Sequence, residues 1–166
     1  MKLIRFGKQG EEKPGILLSN DEKIDVSSFV SDYDEKFFES GGLVNLKDWL
    51  NENESSAPRL DDSIRLGSPI ARPSKIICIG LNFKDHAAES GFDAPEEPLI
   101  FGKATSAICG PYDNIIIPRG SEQTDWEVEL GVVIGKKTSY VDQDQALEHV
   151  GGYVLHNDVS ERAFQK

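Results

Sequence analysis

Two glutamates separated by one residue are the clearest sign of chemistry in this sequence. Glu127 and Glu129 lie in the segment 125–135, where apolar residues alternate with acidic or small ones. Because successive strand side chains point to opposite faces, both glutamates share one face of the predicted strand, with backbones roughly 6.5–7 Å apart. Their carboxylates can therefore converge on one cation. The alternative is an amphipathic strand whose acidic face is solvated, which is the usual condition of acidic side chains.

Asp158 supplies a third carboxylate. It follows the apolar segment 153–157, which predicts another strand, and a helix from Asp142 to about Val150 is predicted between the two strands. That order allows the strands to be neighbours, with Asp158 beside the glutamates. Three carboxylates suit a hard divalent ion such as Mg²⁺, Mn²⁺ or Ca²⁺ better than Zn²⁺. Taken alone, an aspartate at this position is more commonly a strand-end cap than a metal ligand.

His86 and Glu89 form a second candidate pair. The segment 83–90 predicts a helix capped by Asn82, and residues three apart are neighbours on a helix surface. A carboxylate beside a histidine favours the imidazolium and fixes its orientation, as in a dyad that handles a water proton. A solvated helix face that carries an incidental pair is the commoner explanation of such spacing.

The remaining pattern predicts two regions that would position these residues. In the first, residues 2–30 predict a small antiparallel sheet, and the segment from Leu43 to Asn51 has the apolar spacing of a helix. The proline-bracketed segment 69–73 predicts an extended linker, because proline has no amide donor and restrains the residue before it. We therefore predict a small N-terminal domain with its linker over 1–72 and a second domain over 73–166. Further strands of the second domain are predicted at 75–79, 99–103 and 115–117.

Composition excludes several classes of protein. The 166 residues contain 18 Lys and Arg against 29 Asp and Glu, and no segment gathers the basic residues that a nucleic acid partner would need. Cys78 and Cys109 lie in or beside apolar runs, which indicates buried thiols in a reducing compartment rather than a disulfide. No apolar run approaches the roughly 20 residues that span a bilayer, and the N-terminus lacks a signal-peptide core. The sequence therefore predicts a cytoplasmic protein with no membrane partner.

Seven blocks follow one another along the chain: Lys75–Phe83, Asp85–Glu89, Pro98–Lys103, Pro118–Gly120, Asp125–Lys136, Gly152–Tyr153 and Asn157–Arg162. In this order and spacing they resemble successive blocks of the fumarylacetoacetate hydrolase family, in particular its bacterial and acylpyruvase-like members. The resemblance is strong over roughly residues 70–166 and loose before them. It implies an α+β fold in which mixed strands roll into a β-sandwich or barrel-like catalytic domain, of which 73–166 would be the first part, preceded by a small N-terminal α+β domain.

The resemblance also implies roles for individual side chains. The implied metal is Mg²⁺ or Mn²⁺, with Ca²⁺ as a substitute in crystals. The residues are three metal ligands, a water-activating dyad and two residues that face the substrate's carboxylate and reacting groups: Glu127, Glu129 and Asp158; His86 and Glu89; Arg162 and Gln165.

The chemistry that the resemblance implies is cleavage of a C–C bond in an acylpyruvate-like or 2,4-diketo acid. The metal would act as a Lewis acid on the 2-oxo acid and stabilise the enolate, while the dyad directs water at the second carbonyl. The alternatives are an isomerase, a decarboxylase or a ureidoglycolate lyase-type enzyme of the same family, or a non-catalytic acidic module that binds Ca²⁺. A homodimer is implied as well. Family members continue beyond the last block, with a lysine that protonates the leaving carbanion, so we expect the chain to be part of a longer protein.

Overall fold

The computed structural model describes residues 1–83 and 95–165. The chain divides into two compact units, one formed by Met1–Ala71 with Gly110–Lys166 and the other by Arg72–Cys109. The boundary predicted near residue 72 concerns independently folding domains, and it stays a prediction. The helix predicted over 83–90 falls largely outside the described residues.

The N-terminal sheet has three short strands, β1 (Lys2–Phe6), β2 (Lys13–Leu17) and β3 (Lys23–Asp25). They pair antiparallel in the order β1-β2-β3, as the sequence predicts. Ile16 and Ile24 pair across β2 and β3, and both are buried. Apolar residues at alternating positions therefore give the sheet one covered face.

Two helices cover that face. Helix α1 (Glu35–Glu39) begins at Asp34, whose carboxylate accepts a hydrogen bond of 2.8 Å from the Phe37 N–H, the usual contact of an N-cap. Helix α2 (Gly42–Asn53) includes the helix that the sequence predicts. Strands, helices and the segments between them share one hydrophobic core, formed by Ile16, Leu18, Ile24, Val26, Val30, Tyr33, Phe37, Leu46 and Ala57.

The unit Arg72–Cys109 contains an antiparallel strand pair, β4 (Ile76–Gly80) with β5 (Leu99–Lys103). The ladder is continuous from the pair Ile76 with Lys103 to the pair Gly80 with Leu99. Both strands lie within one residue of their predicted bounds, because a short apolar run rich in isoleucine is a strong local strand signal.

Four strands at the C-terminal end carry most of the candidate site: β6 (Thr124–Asp125), β7 (Val128–Ile134), β8 (Val150–Asn157) and β9 (Ser160–Glu161). Strands β7 and β8 pair antiparallel, and so do β6 and β9. The single strand predicted over 125–135 is therefore divided, because its first residues pair with β9 and the rest with β8.

Two sequence predictions for this part of the chain are wrong. Residues 115–117 form no strand, since none of the described strands pairs with them, and an apolar run becomes a strand only where its backbone groups find partners. The helix predicted over 142–150 is reduced to a 3-10 turn at Ala146–His149. A short isolated helix is marginal in water, and ladder bonds with β7 instead take Val150 and the two glycines after it into β8.

Candidate metal and substrate site

The two faces of strand β7 differ in the way that alternation predicts. Glu127, just before the strand, and Glu129 and Gly131 within it are part-buried. The opposite face is exposed, with Trp126 at 69% and Leu130 at 64% of their full accessible surface. The glutamates therefore lie on the better covered face, which argues against a merely solvated acidic face.

Glu127 and Asp158 lie directly across from each other where the β7–β8 ladder ends. The Asp158 N–H donates to the Glu127 carbonyl oxygen at 2.8 Å, and the Glu127 N–H donates to the side-chain oxygen of Asn157 at 3.2 Å. Asp158 is only 5% exposed. A carboxyl group buried to this degree needs hydrogen-bond partners or a cation beside it.

Glu129 lies on the same face, and its register partner on β8 is His156. The sequence prediction that Asp158 lies beside the glutamate pair is thus confirmed for the backbone. In the ranges 1–83 and 95–165, however, no three His, Cys, Asp or Glu side chains are grouped closely enough to hold a metal ion. The chemistry of the donor set, three carboxylates, fits a hard divalent ion, but the side chains do not converge on one point.

The Glu127 carboxylate instead contacts a positively charged side chain. Arg162 Nη1 lies 2.6 Å from Glu127 Oε1, and it also donates to the side-chain oxygen of Gln165 at 3.0 Å. The other two nitrogens of the guanidinium, Nε and Nη2, donate to Asp125 Oδ2 at 3.1 and 2.8 Å. One arginine therefore joins two carboxylates, with the two residues predicted to face the substrate in mutual contact.

The pairing of opposite charges shifts the pKa values of Asp125 and Arg162 in the expected directions. The hydrogen bond from Arg162 lowers the pKa of the Asp125 carboxyl, and a further bond from the Trp126 N–H lowers it too. The hydrogen bond to Asp125 in turn raises the pKa of Arg162 above its ordinary value, to which Glu127 adds. Both groups are therefore held in their charged forms.

The backbone around Arg162 is fixed from both sides. Its N–H donates to the Gln123 carbonyl oxygen at 2.9 Å, next to the β6–β9 ladder. A 3-10 turn, Arg162–Phe164, begins at Glu161, whose carboxylate accepts from the Ala163 N–H at 3.2 Å. The same carboxylate accepts hydrogen bonds from the hydroxyls of Ser121 and Thr124, and the bond from Ser121 is the largest cause of its lowered pKa.

Sequence reasoning missed the parts that Asp125 and Glu161 play. Asp125 precedes Glu127 by two residues, so alternation alone placed it on the acidic face, and this signal could have found it. Glu161 gave no signal, because its partners are up to 40 residues away in sequence. His86 and Glu89 lie outside the described residues, so their predicted role as a dyad stays a prediction.

A small open cleft adjoins this group of charges. It has a volume of about 200 Å³, and its polar lining residues are Thr124, Asp125 and Asn157, while isoleucine, tryptophan and valine side chains form its apolar wall. The cleft therefore offers room for a small, partly apolar group next to the residues that hold Arg162 and Glu127.

None of the helices that the structure describes is both long and apolar enough to span a membrane.

Comparison with known proteins begins with a family model. The model described as fumarylacetoacetate (FAA) hydrolase C-terminal matches residues 75–166, more than half of the chain. A protein of Burkholderia ambifaria that is named as a hydrolase is 48% identical over 165 residues, which is 99% of this chain and 57% of that protein. The chain thus spans a little over half the length of this relative.

Two crystal structures illustrate the structural likeness. Maleylpyruvate hydrolase of Sphingobium sp. SYK-6, solved with a manganese(II) ion and pyruvate, has a TM-score of 0.79 and 22% identity over 98% of this chain and 60% of its own. The 5-carboxymethyl-2-hydroxymuconate delta-isomerase of Mycobacterium smegmatis has a TM-score of 0.69 and 29% identity over 99% of this chain and 57% of its own. The sheet-rich α+β fold class predicted from the sequence is confirmed by this likeness.

Proposed function

We propose that this chain, which belongs to the fumarylacetoacetate hydrolase family, is part of a metal-dependent hydrolase that cleaves a C–C bond in an acylpyruvate-like or 2,4-diketo acid. The observation that carries the proposal is the junction of β7 and β8. There the Asp158 N–H donates to the Glu127 carbonyl oxygen, and the Glu127 carboxylate contacts Arg162, so the backbones of two candidate metal ligands adjoin a guanidinium suited to an anionic substrate.

Glu127, Glu129 and Asp158 would hold the metal ion. All three offer carboxylate oxygens, which Mg²⁺ and Mn²⁺ prefer, and a solved member of the family carries manganese(II). When bound, the ion would supply Lewis acidity at the substrate's oxygen atoms and stabilise negative charge on the enolate. Asp158 is 5% exposed, so a cation bound at its carboxylate would be largely shielded from water, where charge–charge attraction is stronger.

Arg162 and Gln165 would bind the substrate. A guanidinium presents its N–H donors in a planar fork that matches a carboxylate, and here Asp125 already fixes two of the three nitrogens. Gln165 contacts the third nitrogen, so an anionic group that approaches Arg162 also meets the Gln165 amide. Orientation of this kind lowers the entropy lost when the substrate binds in a reactive geometry.

His86 and Glu89 would activate water. Glu89 orients the imidazole, and His86 takes a proton from water as the water oxygen bonds to the acyl carbonyl carbon. The bond from that carbon to the neighbouring carbon then breaks, and its electron pair passes to the 2-oxo acid fragment as an enolate. Protonation of the enolate completes the reaction, with a carboxylic acid and a 2-oxo acid as products.

A second candidate is an isomerase of related 2-oxo acids, and the likeness to the Mycobacterium smegmatis isomerase favours it over other reactions. Decarboxylase and ureidoglycolate lyase-type activities, and a Ca²⁺-binding module without catalysis, are the remaining alternatives. We further propose a cytoplasmic homodimer with a small-molecule substrate and no nucleic acid or membrane partner.

The experiment that tests the function combines product analysis with metal dependence. A panel of acylpyruvates and their unsaturated isomers is incubated with the full-length protein and Mg²⁺ or Mn²⁺, and the products are identified by mass spectrometry. Hydrolysis adds the mass of water across two products, whereas isomerisation leaves the mass unchanged. Conversion without water uptake would contradict the hydrolase, and equal rates after chelation would contradict the metal.

The matching site variant is Glu127→Gln with Glu129→Gln. Each substitution keeps the size of the side chain and removes one negative ligand, so we expect Mn²⁺ binding to be lost in calorimetric titration. Glu122→Gln, at an exposed position just before β6, is the control for loss of negative charge. Mn²⁺ affinity equal to that of the parent in the double variant would mean that the ligands lie elsewhere.

A further inference from the structure

We propose that Arg162 acts as an internal counter-ion of Glu127 that a divalent metal ion must displace, so that metal binding frees one guanidinium N–H for an anionic ligand. The inference rests on the proposed function, because it takes Glu127 as a metal ligand. It goes beyond that function in assigning to one arginine both a restraint on metal affinity and the order in which metal and substrate bind.

Arg162 and Glu127 form a short, part-buried ion pair. Arg162 Nη1 lies 2.6 Å from Glu127 Oε1, and both side chains are part-buried, at 31% and 29% exposed. An ion pair at this distance and degree of burial is less screened than one at the surface. No three potential ligand side chains are grouped for a metal within the described part of the chain. The arrangement is therefore one in which the cation beside Glu127 is the guanidinium.

Arg162 would stay anchored if Glu127 bound another cation. Nε and Nη2 both donate to Asp125, whereas Nη1 alone contacts Glu127 and Gln165. Displacement from Glu127 thus frees one of the two N–H donors of Nη1, while the other stays hydrogen-bonded to Gln165 and Asp125 still holds the side chain. Asp125 is by this argument a positioning residue, which acts through Arg162 and not on the metal or the substrate.

The pairing of β6 with β9 keeps Asp125 and Arg162 in place. Asp125 ends β6 and Arg162 follows β9, and the two strands pair in register with Asp125 opposite Ser160. The Arg162 backbone is bonded to Gln123, and Glu161 caps the turn that begins at Arg162. A donor held in this way keeps its direction, so the freed N–H stays available to a carboxylate close to Glu127.

The test measures Mn²⁺ affinity by the electron paramagnetic resonance signal of free Mn²⁺, and so needs no turnover. Arg162→Met keeps much of the side-chain volume and removes the competing charge. We expect its dissociation constant for Mn²⁺ to fall about five-fold, the effect of removing a partly exposed ion pair. Arg162→Lys keeps the charge but not the fork, so we expect a smaller change. Lys137→Met, which removes an exposed positive charge elsewhere, should leave the affinity unchanged.

Unchanged or weaker Mn²⁺ binding in Arg162→Met would overturn the inference. Circular dichroism checks that the variant is folded, and if it is not, the Arg162→Lys comparison decides in its place, with affinity equal to or below that of the parent counting against us. Failure of the proposed function gives a different result: Mn²⁺ then does not bind the parent, or binds the Glu127→Gln variant equally well.

Asp125 is tested by a double-mutant cycle. Asp125→Asn leaves Arg162 with Glu127 as its main anion, so we expect weaker Mn²⁺ binding, and Asp125→Glu should restore most of the affinity. The loss should be clearly smaller when Asp125→Asn is made in the Arg162→Met background, because the residue acts through the arginine. Equal losses in the two backgrounds would mean that Asp125 affects metal binding directly, by its charge or by the local structure, and not by positioning Arg162.

Discussion

The first 57 residues and the strand pair β7–β8 use apolar residues in opposite ways. In the N-terminal region, side chains such as Ile24 and Leu46 are completely buried, and every buried hydrophobic residue found in the described ranges lies between Ile4 and Ala57. On β7 and β8, by contrast, Leu130 is 64% and Leu155 is 81% exposed, although the strands are at least as apolar. The glutamates on the other face of β7 are better covered than the leucines.

The apolar core of the N-terminal region stabilises the chain, whereas the region around Glu127 and Asp158 forms the candidate site. Full burial of a large apolar side chain contributes about 1.5–3 kcal/mol, so the N-terminal core accounts for much of the stability of the region. The region around Glu127 and Asp158 is organised by ladder bonds and by the ion pairs of Arg162, and the exposed apolar face opposite is of the kind that marks an interaction surface. Substitutions in the two regions should therefore affect different measurements.

Under the proposed function, the largest effect is expected for His86→Ala in the full-length protein. Removal of a positioned proton-transfer group lowers turnover about 10²- to 10⁴-fold, whereas Mn²⁺ affinity and unfolding should stay as in the parent. Glu89→Gln should give a smaller defect of the same kind, because in the proposed mechanism Glu89 orients the base and does not act on the substrate itself. Steady-state kinetics and calorimetric titration measure the two quantities separately. Unchanged turnover in His86→Ala would remove the dyad from the mechanism.

The next effect is expected in the core. Leu46→Ala should lower the free energy of unfolding by about 2–5 kcal/mol, because a fully buried leucine leaves a cavity. Leu130→Ala removes the same atoms from an exposed position and should change it by no more than about 0.5 kcal/mol. Urea denaturation followed by circular dichroism gives both values. Equal losses would show that Leu130 is buried in solution, and the contrast between the regions would fail.

A smaller effect is expected on self-association, and it tests the exposed apolar face of β7 and β8. Leu130 and Leu155 are register partners across β7 and β8, so Leu130→Lys with Leu155→Glu places opposite charges face to face, which the ladder tolerates. We expect the 166-residue chain to self-associate through this apolar face and the double variant to do so less, as measured by light scattering after size-exclusion chromatography. Val44→Lys, at an equally exposed position on α2, is the matched control. No difference between the double variant and the control would mean that self-association does not depend on this face.

The same contrast explains which features could be predicted from the sequence. The antiparallel N-terminal sheet, helix α2 and strand β5 follow from local apolar periodicity, which depends on neighbours in sequence. Helix α1 was missed because five residues give too short a pattern, although the Asp34 cap was visible. The predictions for the segments 115–117 and 142–150 were wrong, because the secondary structure of these segments depends on whether a distant strand pairs with them.

In the candidate site too, some contacts follow from local sequence pattern and others depend on the pairing of distant segments. Alternation on one strand and the end of the next were enough to bring Asp158 beside Glu127, since both follow from local pattern and strand order. The contact of Arg162 with Glu127 was not predicted, because it depends on the β6–β9 pairing and on the turn that Glu161 caps. The candidate metal ligands follow from the sequence as a prediction, whereas the contact of an arginine with one of them was found only in the structure.

The smallest effect is expected from an ionic contact that ties residue 65 to the segment leading into the site strands. Arg65 donates to both carboxylate oxygens of Asp113, at 2.8 and 2.6 Å, and the Gly110 N–H adds a third bond at 2.7 Å. These contacts, with the Arg65 bond first, lower the pKa of Asp113. A carboxyl group whose pKa is lower in the folded chain stabilises it at pH values above its unfolded pKa of about 3.9, and this contribution is lost as pH falls through the folded value.

We therefore expect Asp113→Asn to cost less than about 1 kcal/mol of unfolding free energy at pH 7, as for a part-exposed pair. The cost should disappear in acid, at pH values below the lowered folded pKa, because the parent carboxyl is then protonated as well. Urea denaturation of both proteins from pH 7 to pH 2 measures the difference, with Asp62→Asn, an almost fully exposed aspartate, as the control. A difference that stays constant over this range would mean that Asp113 contributes through hydrogen bonds that do not depend on its charge.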